Sequence, residues 1–303
     1  MNPVIAVATS RLGPVIGILI GRVLPRGPSA WLTDRLADWA AAKPENHAVR
    51  AVRANQAVVR GWSVHDPRLN EIVLRVFRNA ARGYLAFFRG MARGRDALEA
   101  TCSMQPDLVR LLKSAEAEGR GVMLVGPHMG NFDIALLALH KHDLNPLVLS
   151  LPNPRGSVLV DNAIRRRYGV EMTPITQQSL RHAVERLRRG GLVLTLVDRP
   201  EPSGQTLTFF DRPTSLPNGH ARLAQSTGAL LVIVYAVQVG DGSYQIERGQ
   251  TIDPKDFESP TRAQTVSQLA QAVASAMEPP IRRRPEEWLV FLPLWPESAA
   301  SSK

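Results

Sequence analysis

The chain has 303 residues, 44% of them hydrophobic and 21% charged, which is ample for a large globular core. Its one cysteine, Cys102, excludes an intrachain disulfide and the cysteine-rich zinc sites. The net charge is +10, and lysine stands only at 43, 113, 141, 255 and 303, so arginine makes up 32 of the 37 basic residues. That surplus fits either genomic base composition or affinity for phosphate and anionic membrane surfaces. Aromatics are 6% and no nucleic-acid module is legible, so nucleic acid is not an expected partner.

In chain order, residues 1–27 hold the apolar stretches Val4–Ala8 and Leu12–Ile20, interrupted by Arg11 and Pro14 and closed by Arg22. The uncharged run is about half the ~20 residues a spanning helix needs. No small-residue cleavage site follows it. Apolar residues flanked by arginine read as an interfacial, membrane-associating helix or as an ordinary buried first helix. Residues 28–62 read as helix, with Ser29 and Asp34 as candidate caps. Leu69, Ile72, Val73, Val76, Phe77, Ala80, Tyr84, Phe87 and Phe88 form a wide helical stripe over 68–96. Cys102 falls in a loop before a helix over Asp107–Glu118.

From there strands and helices alternate. Strands are expected at Val122–Val125, Pro146–Ser150, Glu171–Ile175, Leu192–Val197, Gln205–Phe210 and Ala229–Val239, the last pairing with Tyr244–Glu247 across Gly240-Asp241-Gly242. Helices are expected over Phe132–His142, Val158–Tyr168, Gln177–Arg189, Gly219–Ser226 and Thr261–Arg283. Such alternation implies an α/β fold: a mixed, mostly parallel central sheet flanked by helices, with an N-terminal helical extension. A single domain over 28–296 and a disordered polar tail over 297–303 complete the division.

The organising stretch is Gly121-Val-Met-Leu-Val-Gly-Pro-His-Met-Gly-Asn-Phe-Asp133, which reads as buried strand, turn and helix start. It leaves His128 just beyond the carboxyl end of a strand, where open α/β sheets place their chemistry. With a turn between them, Asp133 in the first helical turn can hold one imidazole nitrogen and leave the other as a base. The plain alternative is that Asp133 only answers the helix dipole. Asn131 reads as an N-cap or as a substrate contact.

His128-Met-Gly-Asn-Phe-Asp133 resembles the His-x4-Asp motif of glycerolipid acyltransferases, and its Gly-Asn is most similar to the late acyltransferases of lipid A biosynthesis and the phosphatidylinositol mannoside acyltransferases. Three later stretches agree with that family: Val197-Asp198-Arg199 with Thr208-Phe209-Phe210, Leu216-Pro217-Asn218-Gly219 running into Thr227-Gly228-Ala229, and Pro285-Glu286-Glu287-Trp288. The similarity covers roughly residues 50–296. It implies a glycerol-3-phosphate acyltransferase-like fold and an acyltransferase at the cytoplasmic face of the inner membrane. Such an enzyme moves a fatty acyl chain from acyl carrier protein or coenzyme A to a hydroxyl of a lipid A-type or phosphatidylinositol mannoside-type acceptor.

On that reading His128 is the general base and Asp133 its partner. Asp198, at the same sheet edge, is the second acid, with Glu201 as the alternative within Asp-Arg-Pro-Glu. Arg165 and Arg167 precede Tyr168-Gly169, where the family carries an arginine for phosphate or oxyanion; three consecutive arginines leave the choice open. Arg199, Asn218 and Gly219 complete the substrate-binding candidates, the last two at a helix start whose free N–H groups suit an anion. No Gly-x-Ser-x-Gly occurs, so direct attack by the acceptor fits better than a covalent enzyme intermediate. No metal site or nucleotide cofactor is expected beyond the donor's own carrier; His140, His142, His182 and His220 match no metal-ligand spacing. A catalytically decayed lipid-binding module and a thioester hydrolase are the competing readings.

Overall fold

The computed structural model describes residues 12–151, 153, 156–257 and 259–295. Residues 1–11 of the expected interfacial helix and the expected tail at 297–303 lie outside the described residues.

Four helices come first: α1 (Leu12–Val23), α2 (Arg26–Ala41), α3 (His47–Arg60) and α4 (Leu69–Arg93). The apolar stripe builds α4, burying Leu69, Ile72, Val73, Val76, Phe77, Phe87 and Phe88, and α1, α2 and α3 all pack on it. The helix expected over 28–62 is two helices, because Pro44 cannot continue α2 and Asn46 starts α3 by accepting from Ala48 N at 2.9 Å. Ser29 and Asp34 are inside α2 rather than caps. The Ser29 hydroxyl bonds back to the Pro25 carbonyl at 2.8 Å, and Asp34 pairs with Arg82 at 2.6 Å.

Next come α5 (Arg95–Glu99), β1 (Cys102–Met104), α6 (Pro106–Ala117), β2 (Val122–Gly126), α7 (Phe132–His140), β3 (Leu147–Ser150), α8 (Ser157–Arg167), β4 (Met172–Pro174), α9 (Gln177–Arg188) and β5 (Leu192–Leu196). The chain finishes with β6 (Gln205–Phe209), β7 (Arg212–Leu216), α10 (Gly219–Thr227), β8 (Leu230–Gly240), β9 (Ser243–Ile252) and α11 (Arg262–Arg283). Cys102 is therefore in an edge strand, not a loop. Strand β7 and the short helix α5 are further elements the sequence pattern did not show.

Seven strands form one sheet in the order β1-β9-β8-β2-β5-β3-β4. Strands β8, β2, β5, β3 and β4 run parallel; β9 is antiparallel to β8, and β1 follows β9. This is the mixed, mostly parallel sheet the alternation implied. Every residue of β2 is buried, as the centre of a sheet covered on both faces requires. One apolar cluster joins the sheet to α9, α10 and α11 on one face; a second joins it to α6, α7 and the end of α4 on the other.

The β2–β5 register brings the turns after the two strands together. Gly126 lies opposite Leu196, so the residues after each strand emerge side by side at one sheet edge. Gly126 also passes against β8 so closely that a Cβ would sit 1.9 Å from the Val234 carbonyl oxygen. Strands β6 and β7 form a separate hairpin, whose Phe209 and Phe210 contact Trp288 and Trp295 with centroids 6.0 to 6.2 Å apart.

Gly126→Ala is expected to destabilise the fold by at least about 1–3 kcal/mol, because backbone rather than a flexible side chain must yield. A urea midpoint equal to that of the wild type would contradict this packing.

Candidate functional site

The turn between β2 and α7 carries His128 and is tied down from three directions. Val197 N donates to the Gly126 carbonyl at 3.1 Å. Leu289 N donates to the His128 carbonyl at 2.7 Å, and Gly130 N donates to the Glu287 carbonyl at 2.9 Å. Gly130 has φ +58, and a Cβ there would meet the Ala236 carbonyl oxygen at 2.4 Å, so only glycine fits this bend.

Asp198, immediately beyond β5, faces this turn and is completely buried. Its Oδ1 lies 2.5 Å from His128 Nδ1. Its Oδ2 accepts the His128 backbone N–H at 2.8 Å and the Trp288 indole N–H at 2.7 Å. Burial opposes ionisation of Asp198, but the imidazole and the donated N–H groups outweigh it and hold the carboxyl below its ordinary value. An ionised Asp198 fixes the proton on Nδ1 and turns the Nε2 lone pair outward. Nε2 makes no hydrogen bond among the described residues. Burial also pushes His128 below its ordinary value against the pull of Asp198, and the charge of Arg199 adds to the lowering. A neutral imidazole with one free nitrogen is a competent base near neutral pH.

The partner expected for His128 was Asp133; in the structure the imidazole is held by Asp198. Asp133 occupies the first turn of α7 and faces α8, where Arg165 reaches it from Nε at 2.6 Å. Arg165 also donates to Asn162 Oδ1 at 2.6 Å and lies over the Phe132 ring, 5.3 Å from its centroid. Asp133 thus ties α7 to α8. The turn argument correctly folded the histidine back over the helix, but β5 delivers a carboxylate closer to Nδ1.

Of the three arginines, Arg165 is buried and pairs with Asp133, whereas Arg166 and Arg167 are exposed on the outer face of α8. Arg167 therefore points away from the His128–Asp198 pair into solvent, rather than joining Asp133 as Arg165 does. Arg199 makes no hydrogen bond or ion pair among the described residues, and its charge reaches both His128 and Tyr84. Glu201 turns away: its Oε1 accepts from the Ser203 hydroxyl at 2.9 Å, inside its own loop. Asn131 is the N-cap of α7, accepting from Ile134 N at 3.2 Å, and its amide donates to the Gly83 carbonyl on α4 at 2.7 Å. With both ends of its side chain engaged, it is a structural link rather than a substrate contact. Asn218 donates to Gln205 at 3.1 Å, and Gly219 is exposed at the start of α10; neither bonds to His128 or Asp198.

Trp288 is the residue whose role the sequence did not disclose. Its motif was visible, but 90 residues separate it from Asp198, and nothing local predicts that an indole N–H completes a carboxylate's shell. Among the described residues no three histidine, cysteine or acidic side chains converge as a metal site would require. A narrow apolar cavity of about 40 Å³ lies between α7 and the sheet, next to the turn. Pro127 and Met129 flank His128 in it, Phe132, Ala135, Leu136 and Leu139 supply one helical face, and Leu194, Leu196, Val234 and Ala236 supply the floor.

The family model described as bacterial lipid A biosynthesis acyltransferase matches residues 8–297. A phosphatidylinositol mannoside acyltransferase of Mycobacterium tuberculosis (strain CDC 1551 / Oshkosh) is 27% identical over 198 residues, which is 63% of this chain and 60% of that protein. The enzyme of the same name from Mycolicibacterium smegmatis is 30% identical over 190 residues, 61% of this chain and 60% of that protein. The match thus spans about three-fifths of the length of these curated relatives.

The relay has a spectroscopic signature. His128 is expected to carry its proton on Nδ1 and to titrate with a midpoint below 6.5 by imidazole ¹⁵N NMR. Asp198→Asn removes the anion that favours imidazolium, so the midpoint is expected to fall further while the tautomers mix. A wild-type midpoint above 6.5, or an unchanged tautomer in the variant, contradicts the assignment.

Proposed function

The chain belongs to the bacterial lipid A biosynthesis acyltransferase family, and from that premise we propose that it transfers a fatty acyl group from a thioester of acyl carrier protein or coenzyme A to a hydroxyl of a glycolipid. The observation that carries this reading is the buried Trp288–Asp198–His128 chain, which leaves Nε2 without a hydrogen bond among the described residues. In this scheme Nε2 takes the proton of the acceptor hydroxyl as its oxygen attacks the thioester carbonyl. Asp198 stays ionised and stabilises the imidazolium. The tetrahedral oxyanion forms near Arg199, which no carboxylate meets among the described residues. Collapse breaks the carbon–sulfur bond, and the departing thiolate takes the proton back from His128. No covalent acyl-enzyme is needed.

The acyl chain enters the cavity between α7 and the sheet. At about 40 Å³ the cavity has to widen to admit the chain. The mycobacterial relatives named for phosphatidylinositol mannoside support a mannosylated or related glycolipid as acceptor.

Peripheral attachment to an anionic membrane, at the face where the thioester donors are made, completes the proposal. None of the described helices is long and apolar enough to cross a membrane. On α1, however, Ile16, Leu19 and Val23 fall on one face and are 41%, 61% and 66% exposed. Trp31 on α2 is also exposed, and Arg22 and Arg26 lie beside these residues. An apolar face rimmed by arginine inserts shallowly into anionic lipid.

The test is incubation with labelled acyl thioester and a host lipid extract. His128→Ala is expected to abolish the labelled lipid product, and Asp198→Asn to lower kcat by about 10³- to 10⁴-fold through loss of the correct tautomer. Asp133→Asn is expected to act mainly on stability, by leaving buried Arg165 without its charge partner, at a cost of about 3–5 kcal/mol. Labelled free fatty acid without a lipid product would overturn transfer in favour of hydrolysis. Separately, Leu136→Trp fills the cavity and is expected to shift preference toward shorter acyl chains, read from product masses; an unchanged chain profile places the acyl chain elsewhere.

A further inference from the structure

A second cavity, of about 450 Å³, is walled by the same C-terminal segment that holds the His128 turn. Five arginines line it: Arg75, Arg78 and Arg82 from α4, Arg283 from the last turn of α11, and Arg284 just after it. Residues 75, 78 and 82 are three and four apart, so the α4 arginines share one helical face, where like charges repel. Their side chains are 54%, 35% and 46% exposed, so a ligand can reach them.

These guanidiniums are held in place but not saturated. Asp38 on α2 takes Nε and Nη2 of Arg78 at 2.6 and 2.8 Å. Asp34, one turn earlier, takes Nε and Nη2 of Arg82 at 2.7 and 2.6 Å. Nη1 of both arginines makes no hydrogen bond among the described residues. Arg75 donates from Nη2 to Glu71 at 2.5 Å, and Arg283 from Nη2 to the Tyr235 hydroxyl at 2.6 Å. The two carboxylates in the lining are already engaged. Glu286 receives Arg60 at 2.5 Å, and Glu287 receives the Gln238 backbone N–H at 2.9 Å and Arg284 at 3.0 Å. The cleft thus offers oriented N–H donors in excess of acceptors, which is how arginine grips a phosphate.

Its shape and setting narrow the ligand. The volume falls within the ~300–1,000 Å³ of ligand pockets, room for a headgroup rather than a lone ion. None of the lining residues is aromatic, so nothing there stacks on a nucleotide base. Asp34 and Asp38 share a face of α2 with Trp31, which is 62% exposed, and an open tryptophan suits the headgroup level of a bilayer. From the cleft, Asn79 donates to the Glu286 carbonyl at 2.9 Å, and the next carbonyl, of Glu287, receives Gly130 N from the His128 turn.

We propose that this cleft is a subsite for the phosphate of an anionic lipid headgroup, which it holds against the segment that positions His128. The proposal goes beyond acyl transfer, and its test needs no turnover.

The experiment is calorimetric titration of the full chain with dihexanoyl phosphatidylglycerol below its micelle concentration. Saturable binding that weakens as salt rises is expected. Dihexanoylglycerol, with the same chains and no phosphate, is expected to bind at least about 10-fold more weakly, and so is adenosine 3′,5′-bisphosphate. Arg75→Gln and Arg283→Gln are each expected to weaken phospholipid binding about 10-fold. Arg78→Gln combined with Asp38→Asn leaves the net charge unchanged and is expected to cost about 10- to 100-fold. Arg166→Gln, on the exposed outer face of α8, is expected to bind as the wild type does. Arg75 meets only the exposed Glu71, and Arg283 hydrogen-bonds only a tyrosine hydroxyl, so those two variants decide the matter if the double variant does not fold. A wild type that shows no saturable binding, equal affinity for dihexanoylglycerol, or unchanged affinity in both Arg75→Gln and Arg283→Gln overturns the subsite. Tighter binding of the bisphosphate overturns the lipid assignment in favour of a nucleotide. A loss in Arg166→Gln equal to that in Arg75→Gln overturns it in favour of bulk charge attraction. Failure of the transfer reading shows separately, as absence of a labelled lipid product in the thioester assay.

Discussion

A single buried carboxylate joins the parts of this molecule that matter. Asp198 accepts hydrogen from the His128 backbone, the His128 ring and the Trp288 indole. Those three donors come from the β2 turn and the C-terminal segment, while Asp198 itself ends β5. An ionised group with no solvent exposure is tolerable only when fully paired. Its pairing therefore requires the β2–β5 register, the turn and the C-terminal segment all to be in place. Much of the rest can be understood as the means of meeting that condition. Gly126 lets β2 approach β8, Gly130 bends the chain back, and the backbone bonds from Glu287 and Leu289 hold the turn against the end of the protein.

The second carboxylate of the motif has a different part. Asp133 and Arg165 form a buried pair between α7 and α8, supported by Asn162 and the Phe132 ring. The helix that presents Phe132, Ala135, Leu136 and Leu139 to the apolar cavity is thus attached to α8 by its first turn, while its body is buried in the core. The two acids hold different partners: Asp198 the His128 ring, Asp133 the Arg165 guanidinium.

Much of the site was legible because it is local. The strand-turn-helix stretch located His128, the helix start located Asn131, and the strong strand expected at Leu192–Val197 located Asp198 at the same sheet edge. The pairing of His128 with an acid was also legible, though not which acid. A five-residue spacing makes Asp133 the obvious choice, but sequence proximity does not measure distance across a parallel sheet. Similarly, Arg165, Arg166 and Arg167 are equivalent in sequence. Only the packing of α8 turns the first inward and leaves the others in solvent.

Hydrophobic periodicity, turn residues and motif order determined the α/β class, the alternation of elements and the sheet edge at which His128 and Asp198 stand, because these depend on patterns within ten or twenty residues. Tertiary structure decided the break at Pro44 between α2 and α3, the strands β1 and β7, the choice of Asp198 over Asp133, and the recruitment of Trp288. It also left Asp161 buried and unpartnered, since its natural neighbour Arg165 was drawn to a residue 32 positions away. Each of these depends on competition between distant groups for the same donor, acceptor or surface, and such competition is settled only when the sheet register brings them together.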